Sequence, residues 1–242
     1  MNLKNKKITL LAAEDYYFGI PTISRICLNH EENIKSIIIV QNFFSLKRMF
    51  YIFFMFNFIF IIKKILNSYH YKNTLNTISA QKKIKVFYTS NVNSKKTIRF
   101  LQMQKTQTLL ILSCPQILKK EILKIKKTNL NFHCSNLPKN RGLFPLFYTY
   151  IDHNGKKLFL NLHAVNEKID DGKILIYKKI TTKKMRLEDM YTLAFIKFEK
   201  IIEDFIKNKY SKRNNIQKYK TYNSYPRFKD FIKYYKIVFF SK

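Results

Sequence analysis

The chain has 242 residues, 46% of them hydrophobic, which suits one α/β domain with an extension around a sizeable core. Lys and Arg outnumber Asp and Glu by 46 to 15, a net charge of +31. Three cysteines without metal-ligand spacing exclude a disulfide framework and a cysteine zinc site.

A charge this large has two readings. One is a polyanionic partner: RNA, DNA or an anionic membrane. The other is compositional drift. Lys, Asn, Ile, Phe and Tyr abound, Gly and Pro number four and five, and Trp is absent. The lysines are spread along the chain, which favours drift, so no specific nucleic-acid partner is expected. The amino-terminal run has no small-residue cleavage site, and a cytoplasmic location is expected.

Residues 8–13 are a short apolar run bounded by charge, a first buried strand. Glu14 and Asp15 follow in a loop, where they either meet substrate hydroxyls or an amine or are simply solvated. Residues 19–29 read as a helix, and the β-branched run 36–40 as a second strand. The order strand, helix, strand predicts a doubly wound, mostly parallel sheet. Residues 49–62 carry a single strongly polar member, Asn57, between Lys47-Arg48 and Lys63-Lys64. Fourteen helical residues reach only about 21 Å, short of a membrane core of about 30 Å. The stretch is therefore read as a helical insertion at about 45–66, with no transmembrane anchor. It packs within the protein or across a homodimer, or else lies on an anionic membrane; packing is the reading adopted.

A third strand is predicted at 85–88 and a helix at 94–104, capped by Asn93 or Ser94. A fourth strand spans 108–113. Pro115 suits the first turn of a helix running to about 126. Residues 130–133 form a short strand. At 157–163 the period-2 pattern predicts a half-buried strand, with Leu158, Leu160 and Leu162 on one side and Phe159, Asn161 and His163 on the other. Another strand at 174–180 and a helix at 186–207 complete a domain placed at 1–208. Residues 209–242 are read as a basic, aromatic extension.

Gly, Pro and Arg, so rare here, gather in one place. Within twelve residues stand Asn131, His133, Ser135, Leu137, Pro138, Arg141 and Gly142, and Asp170 and Gly172 follow about thirty residues later. On a strand, residues i and i+2 share a face, so Asn131 and His133 project together.

This pattern, Asn-x-His-x-Ser-x-Leu-Pro-x-x-Arg-Gly followed by Asp-x-Gly, resembles the signature of the 10-formyltetrahydrofolate-dependent formyltransferases. The family acts on methionyl-tRNA, on glycinamide ribonucleotide or on nucleotide-linked amino sugars. The resemblance covers roughly residues 7–205 and implies a Rossmann-like α/β fold. It implies 10-formyltetrahydrofolate as co-substrate and Asn131, His133 and Asp170 as the catalytic trio, with no metal. It also implies folate contacts at Gln116, Ile117 and Leu118, at Ser135, Leu137, Pro138, Arg141 and Gly142, and at Glu167, Lys168 and Ile169. His163 matches a position often histidine in the family and is read as structural. Asp171 falls in a slot that the family usually leaves uncharged. The residues after about 208 are too few for the tRNA-binding barrel of methionyl-tRNA formyltransferase, so a nucleotide-linked amino sugar is the expected acceptor. Methionyl-tRNA and glycinamide ribonucleotide are the alternatives. From another class stands a degenerate, non-enzymatic protein that binds nucleic acid or membrane through its charge.

Overall fold

The computed structural model describes residues 6–41, 46–210 and 220–240. In chain order the elements are β1 (Ile8–Ala13), α1 (Gly19–Asn29), β2 (Ile34–Val40), α2 (Leu46–Met55), α3 (Phe58–Leu66), α4 (Ser68–Gln81), β3 (Lys85–Thr89), α5 (Lys95–Met103) and β4 (Thr108–Ser113). There follow α6 (Lys120–Leu123), β5 (Thr128–His133), β6 (Arg141–Gly142), α7 (Pro145–Asp152), β7 (Lys157–Ala164), β8 (Ile174–Thr181), α8 (Leu187–Ile206), β9 (Tyr222–Asn223) and α9 (Phe228–Phe240).

Seven strands form one sheet in the order β3-β2-β1-β4-β5-β7-β8. The first five are parallel, as the alternation of strands and helices predicts; β7 runs antiparallel to β5, and β8 antiparallel to β7. The chain winds outward from β1 to β3, then returns to lay β4 on the other side of β1. The strand order therefore reverses between β1 and β4, and in open α/β sheets the crevice beyond such a reversal is where ligands bind.

Apolar residues cover both faces of the central strands. On one face Leu10, Ala12, Leu110 and Phe132 pack with side chains of α1, α4, α7, α8 and α9. On the other, Leu11, Ile38, Leu109 and Ile111 pack under α5 and α6. In the parallel register Leu109 lies beside Asn129 and Ile111 beside Asn131. The second face thus turns from apolar to polar on passing from β4 to β5.

Four local expectations are corrected. Residues 49–62 are not one helix. Asn57 takes an extended backbone (φ −61°, ψ 138°), and its side chain accepts the Ile59 N–H at 2.9 Å, so its amide caps a new helix instead of continuing the old one. The packing expected of this stretch holds for Ile52, Met55 and Ile61, which are buried, while Phe50, Phe53, Phe58 and Ile59 face outward. The helix expected from Pro115 shrinks to the four residues of α6. Side-chain hydrogen bonds tie residues 116–119 to the loop before α5 instead. Gln116 Oε1 accepts from Val92 N at 2.8 Å, Gln116 Nε2 donates to Ser90 O at 2.7 Å, and Asn93 Oδ1 accepts from Lys119 N at 2.8 Å. β7 is buried on both sides, not one: on its polar side Phe159 packs on His153, Asn161 donates to Ser135 O and His163 lies beside Asp170.

The fourth correction concerns Asp15. It is buried, and its carboxylate accepts the N–H groups of Tyr17, Phe18 and Gly19 at 2.8, 3.3 and 3.0 Å. Asp15 therefore closes the amino end of α1 from within. Burial raises its carboxyl above the ordinary value, and those N–H groups oppose the rise. α4 escaped prediction because Leu75 and Ile78 are nearly all of its buried apolar face.

The carboxy-terminal segment is stitched to the domain. β9 pairs with β6, placing Tyr222 beside Arg141 and Asn223 beside Gly142. The Tyr234 hydroxyl of α9 donates to Met55 O at 2.7 Å, and the Phe231 ring lies tilted 5.5 Å from that of Phe147. Most of the polar run near 208–217 lies outside the described residues.

Phe198 of α8 is fully buried, with its ring 4.2 Å from that of Phe132 beneath the motif strand. Phe198→Ala is expected to cost about 3–5 kcal/mol, read from the urea midpoint at unchanged denaturant slope.

Candidate active site

The carboxyl ends of β1, β4 and β5 open into one cavity of about 510 Å³. That size is ordinary for a small-molecule site. Its polar end is built on β5 and β7. Asn131 lies directly opposite His163, and His133 opposite Asn161, in the antiparallel register. All four side chains therefore share the sheet face that no long helix covers.

Asp170 descends onto this face from the loop after β7. Its Oδ1 accepts from Asn131 Nδ2 at 3.3 Å, and its Oδ2 accepts from the Gly142 N–H at 2.9 Å. His133 Nδ1 stands 3.6 Å from Oδ2, and His163 Nε2 stands 3.5 Å from Oδ1. Asp170 takes a left-handed backbone (φ 47°), uncommon for a residue with a side chain and tolerated best by Asn and Asp. Two residues on, Gly172 is required by space. A Cβ there would lie 1.7 Å from the Ala164 carbonyl oxygen, which explains the glycine of Asp-x-Gly without any appeal to conformation.

The hydrogen bonds assign the tautomers. His133 Nε2 lies 3.0 Å from the Asn140 carbonyl oxygen, within bonding range, whereas Nδ1 at 3.6 Å from Asp170 is not. The neutral ring therefore carries its proton on Nε2 and keeps a free lone pair on Nδ1. His163 donates from Nδ1 to Ala164 O at 2.9 Å, leaving Nε2 to accept from Asn131 Nδ2 at 3.2 Å.

Burial pushes the His133 imidazole below its ordinary value; Asp170 pulls the other way, and His163 adds to the lowering. For Asp170, burial alone would raise the carboxyl. His133, His163 and the Gly142 N–H outweigh burial and hold it far below the usual carboxylate range. At neutral pH the site holds an ionised carboxylate beside a neutral imidazole whose open nitrogen faces it. A proton taken up at Nδ1 would be stabilised by that carboxylate.

Among the described residues, His133, His163 and Asp170 also form a group whose ligand-type atoms lie within 4.8 Å of one another. Asn131 Nδ2 donates into the gap between His163 and Asp170, so a cation seated there would have to displace an N–H donor.

Of the expected folate-contacting residues, Gln116, Ile117, Leu118, Gly142, Glu167, Lys168 and Ile169 line the cavity. Ser135, Leu137, Pro138 and Arg141 do not. The Ser135 hydroxyl donates to Lys139 O at 2.8 Å, Leu137 is buried, and Pro138 O accepts from Thr221 N at 3.2 Å. Arg141 pairs with Asp171 at 3.2 Å. Ser135 bonds within the loop, while Pro138 and Arg141 tie the loop to Thr221 and Asp171. Asp171, held also by Lys220 at 3.0 Å, points away from the trio.

His163, expected to be structural, belongs to the polar cluster itself. Its signal was the cross-strand position opposite Asn131, which requires knowing that β5 and β7 pair. Much of the remaining cavity wall is apolar and aromatic, including Phe18, Ile52, Met55, Phe56, Tyr191 and Phe195. The segment 49–62 therefore reaches the site from its inner side.

Comparison with known proteins bears on this arrangement. Residues 64–202, more than half of the chain, match the formyl transferase family model. The chain belongs to this family. The matched span contains the Asn131 motif and the Asp170 loop. A curated family relative, the bifunctional polymyxin resistance protein ArnA of Wigglesworthia glossinidia brevipalpis, is 37% identical over 139 residues. The match covers 54% of this chain but only 21% of that protein's length. Among solved structures, a sugar N-formyltransferase from Shewanella sp FDAARGOS_354 superposes with a TM-score of 0.59 at 16% identity, over 96% of this chain and 88% of that one. The N-formyltransferase from Helicobacter canadensis superposes at 0.52 and 19% identity, over 90% and 71%. That protein was solved with folinic acid and dTDP-3-aminofucose. At such identities the likeness establishes the fold.

Gly172→Ala is expected to push the Asp170 loop off the trio and cut turnover in a formyl-transfer assay by about 100-fold, the scale of a roughly 1 Å misplacement, while thermal melting shows a folded protein.

Proposed function

We propose that this chain transfers the formyl group of 10-formyltetrahydrofolate to a primary amine, and that the amine belongs to a nucleotide-linked amino sugar. The observation that carries the reading is the convergence of Asn131, His133 and Asp170 within hydrogen-bonding and ion-pairing range at the end of one cavity.

The chemistry follows from the contacts. The amine nitrogen attacks the formyl carbon, forming a carbon–nitrogen bond and pushing an electron pair onto the formyl oxygen. Asn131 is the fixed donor for that oxygen. Its N–H groups now reach His163 and Asp170 at 3.2 and 3.3 Å, long contacts that it can exchange for a shorter one as the charge develops. His133 takes the ammonium proton at Nδ1, and Asp170 stabilises the imidazolium. The intermediate collapses by breaking the bond from the formyl carbon to the folate nitrogen, which receives a proton in turn. Asn140 O and Asp170 keep the ring oriented throughout.

The acceptor assignment is supported by the fold's likeness to sugar N-formyltransferases, one of them solved with a dTDP-amino sugar. A second reading, an amine borne on tRNA, draws on the net charge of +31. Incubating the protein with 10-formyltetrahydrofolate and a panel of nucleotide-linked amino sugars, initiator Met-tRNA and glycinamide ribonucleotide tests both. A formylated sugar nucleotide supports the assignment, and formylation of the tRNA alone replaces it.

Asn131→Ala is expected to lower turnover by about 100- to 1000-fold with folate affinity nearly unchanged. His133→Ala should cost at least about 100-fold, and the double variant with Asp170→Asn should be little worse than the worse single one. Asp171→Asn, whose ion pairs lie outside the trio, keeps most activity. Near wild-type turnover in both Asn131→Ala and His133→Ala would end the formyl-transfer reading.

A further inference from the structure

The outer faces of α2, α3 and α9 form one apolar surface. Phe53 and Phe58 are more than half exposed, and Phe239 is 71% exposed. Ring contacts make the surface continuous across the three helices. Phe53 stands 6.1 Å from both Phe54 and Phe58. The Tyr235 hydroxyl donates to Phe54 O at 2.8 Å, and its ring stacks 6.0 Å from Phe239. Scattered apolar side chains are normal on a protein surface, but a connected aromatic patch marks a site of association.

The charge around the patch has one sign. Between Glu32 and Glu121 the sequence contains no Asp or Glu. Lys47 and Lys63 are exposed on α2 and α3, and Lys229, Lys233 and Lys236 are exposed on α9. The one acid on α9, Asp230, is buried and paired with Arg227. Two copies meeting through this face would bring like-charged rims together, in a chain of net charge +31. An anionic lipid surface would instead supply both an apolar phase and the opposite charge.

We propose that this face docks on the surface of an anionic lipid bilayer, with the aromatic side chains in the acyl boundary and the lysines at the phosphate level. The contact is interfacial: α2 and α3 have ten and nine residues, and among the described residues no helix is long and apolar enough to cross a membrane. Ile52 and Met55 on the inner side of α2 line the cavity, so the docked face is the outer side of the cavity wall. The proposal does not depend on the identity of the formyl acceptor.

Vesicle flotation tests it. The full chain is mixed with phosphatidylcholine vesicles or with phosphatidylcholine–phosphatidylglycerol vesicles, at low and high salt. The wild type is expected to float with the anionic vesicles and to partition at least about tenfold less onto the neutral ones. Phe53→Ser combined with Phe58→Ser, both at exposed positions, should weaken anionic-vesicle partition at least about tenfold, with circular dichroism unchanged. Lys229→Glu, Lys233→Glu and Lys236→Glu together should do the same by a charge route. Should the aromatic pair fail to fold, the lysine variant decides when read against Lys95→Glu, Lys96→Glu and Lys124→Glu, exposed lysines away from this face, because only a docked face makes the α9 set matter more. Three results would overturn the proposal: no flotation; flotation that high salt abolishes and the aromatic changes leave untouched, meaning charge alone; or a dimer in sedimentation equilibrium that the aromatic changes disperse without any vesicle binding.

Discussion

One mostly buried carboxylate, that of Asp170, organises the functional end of this protein. Asp170 has its charge met by the Gly142 N–H and the Asn131 amide, and His133 Nδ1 and His163 Nε2 stand beside it. An ionised carboxylate taken from water needs that many partners, and it survives burial only because they are fixed in place. The groups around it come from three pieces of chain, β5, β6 and β7. Satisfying Asp170 therefore fixes the relative placement of the motif strand, the motif loop and the strand that follows.

Much of the supporting structure serves that placement. Gly172 lets the loop pass against the Ala164 carbonyl, and the pairing of β6 with β9 steadies the backbone that presents the Gly142 N–H. Asn140 spans both tasks. Its carbonyl receives His133, its side-chain oxygen accepts from Asn223 at 2.8 Å, and its amide nitrogen donates to Asp152 at 2.8 Å. The carboxy-terminal segment thus acts on the site through the backbone of the motif loop.

What could be read from the sequence follows from the range of the interactions involved. The buried strands announced themselves because parallel strands covered on both faces are continuous apolar runs, as at Ile8–Ala13 and Thr108–Ser113. The pairing of Asn131 with His133 was legible because strand periodicity is local. The role of Asp170 came from the resemblance alone, since nothing within its own loop distinguishes it from Asp171; the structure separates them by giving Asp171 to Arg141 and Lys220. His163 was read as structural; its contact with Asn131 could not be read locally, because Asn131 is thirty-two residues away and met only through antiparallel pairing. Gln116 hid the end of a helix for the same reason: its side chain bonds to residues twenty-four and twenty-six positions back. Asn57 was noticed as the polar member of an apolar run, yet its effect, a helix stop and restart, depends on which backbone N–H its side chain captures.

The aromatic residues divide between two environments. Phe18, Phe56, Tyr191 and Phe195 close the inner wall of the cavity, their rings meeting face to face or edge to face at 5.2 to 5.8 Å. Their counterparts on the outer side of α2 and α3 face away from the protein. The central claim concerns the polar end, where an ionised Asp170 faces a neutral His133 protonated on Nε2. It is tested most directly by nitrogen-15 NMR of the histidine rings through a pH titration, with His133 assigned by substitution. The account predicts the Nε2–H tautomer at neutral pH and protonation only at a pH below the ordinary histidine value. In Asp170→Asn, which removes the stabilising charge, protonation should move lower still. A His133 that is already an imidazolium at neutral pH, or that carries its neutral proton on Nδ1, would contradict it.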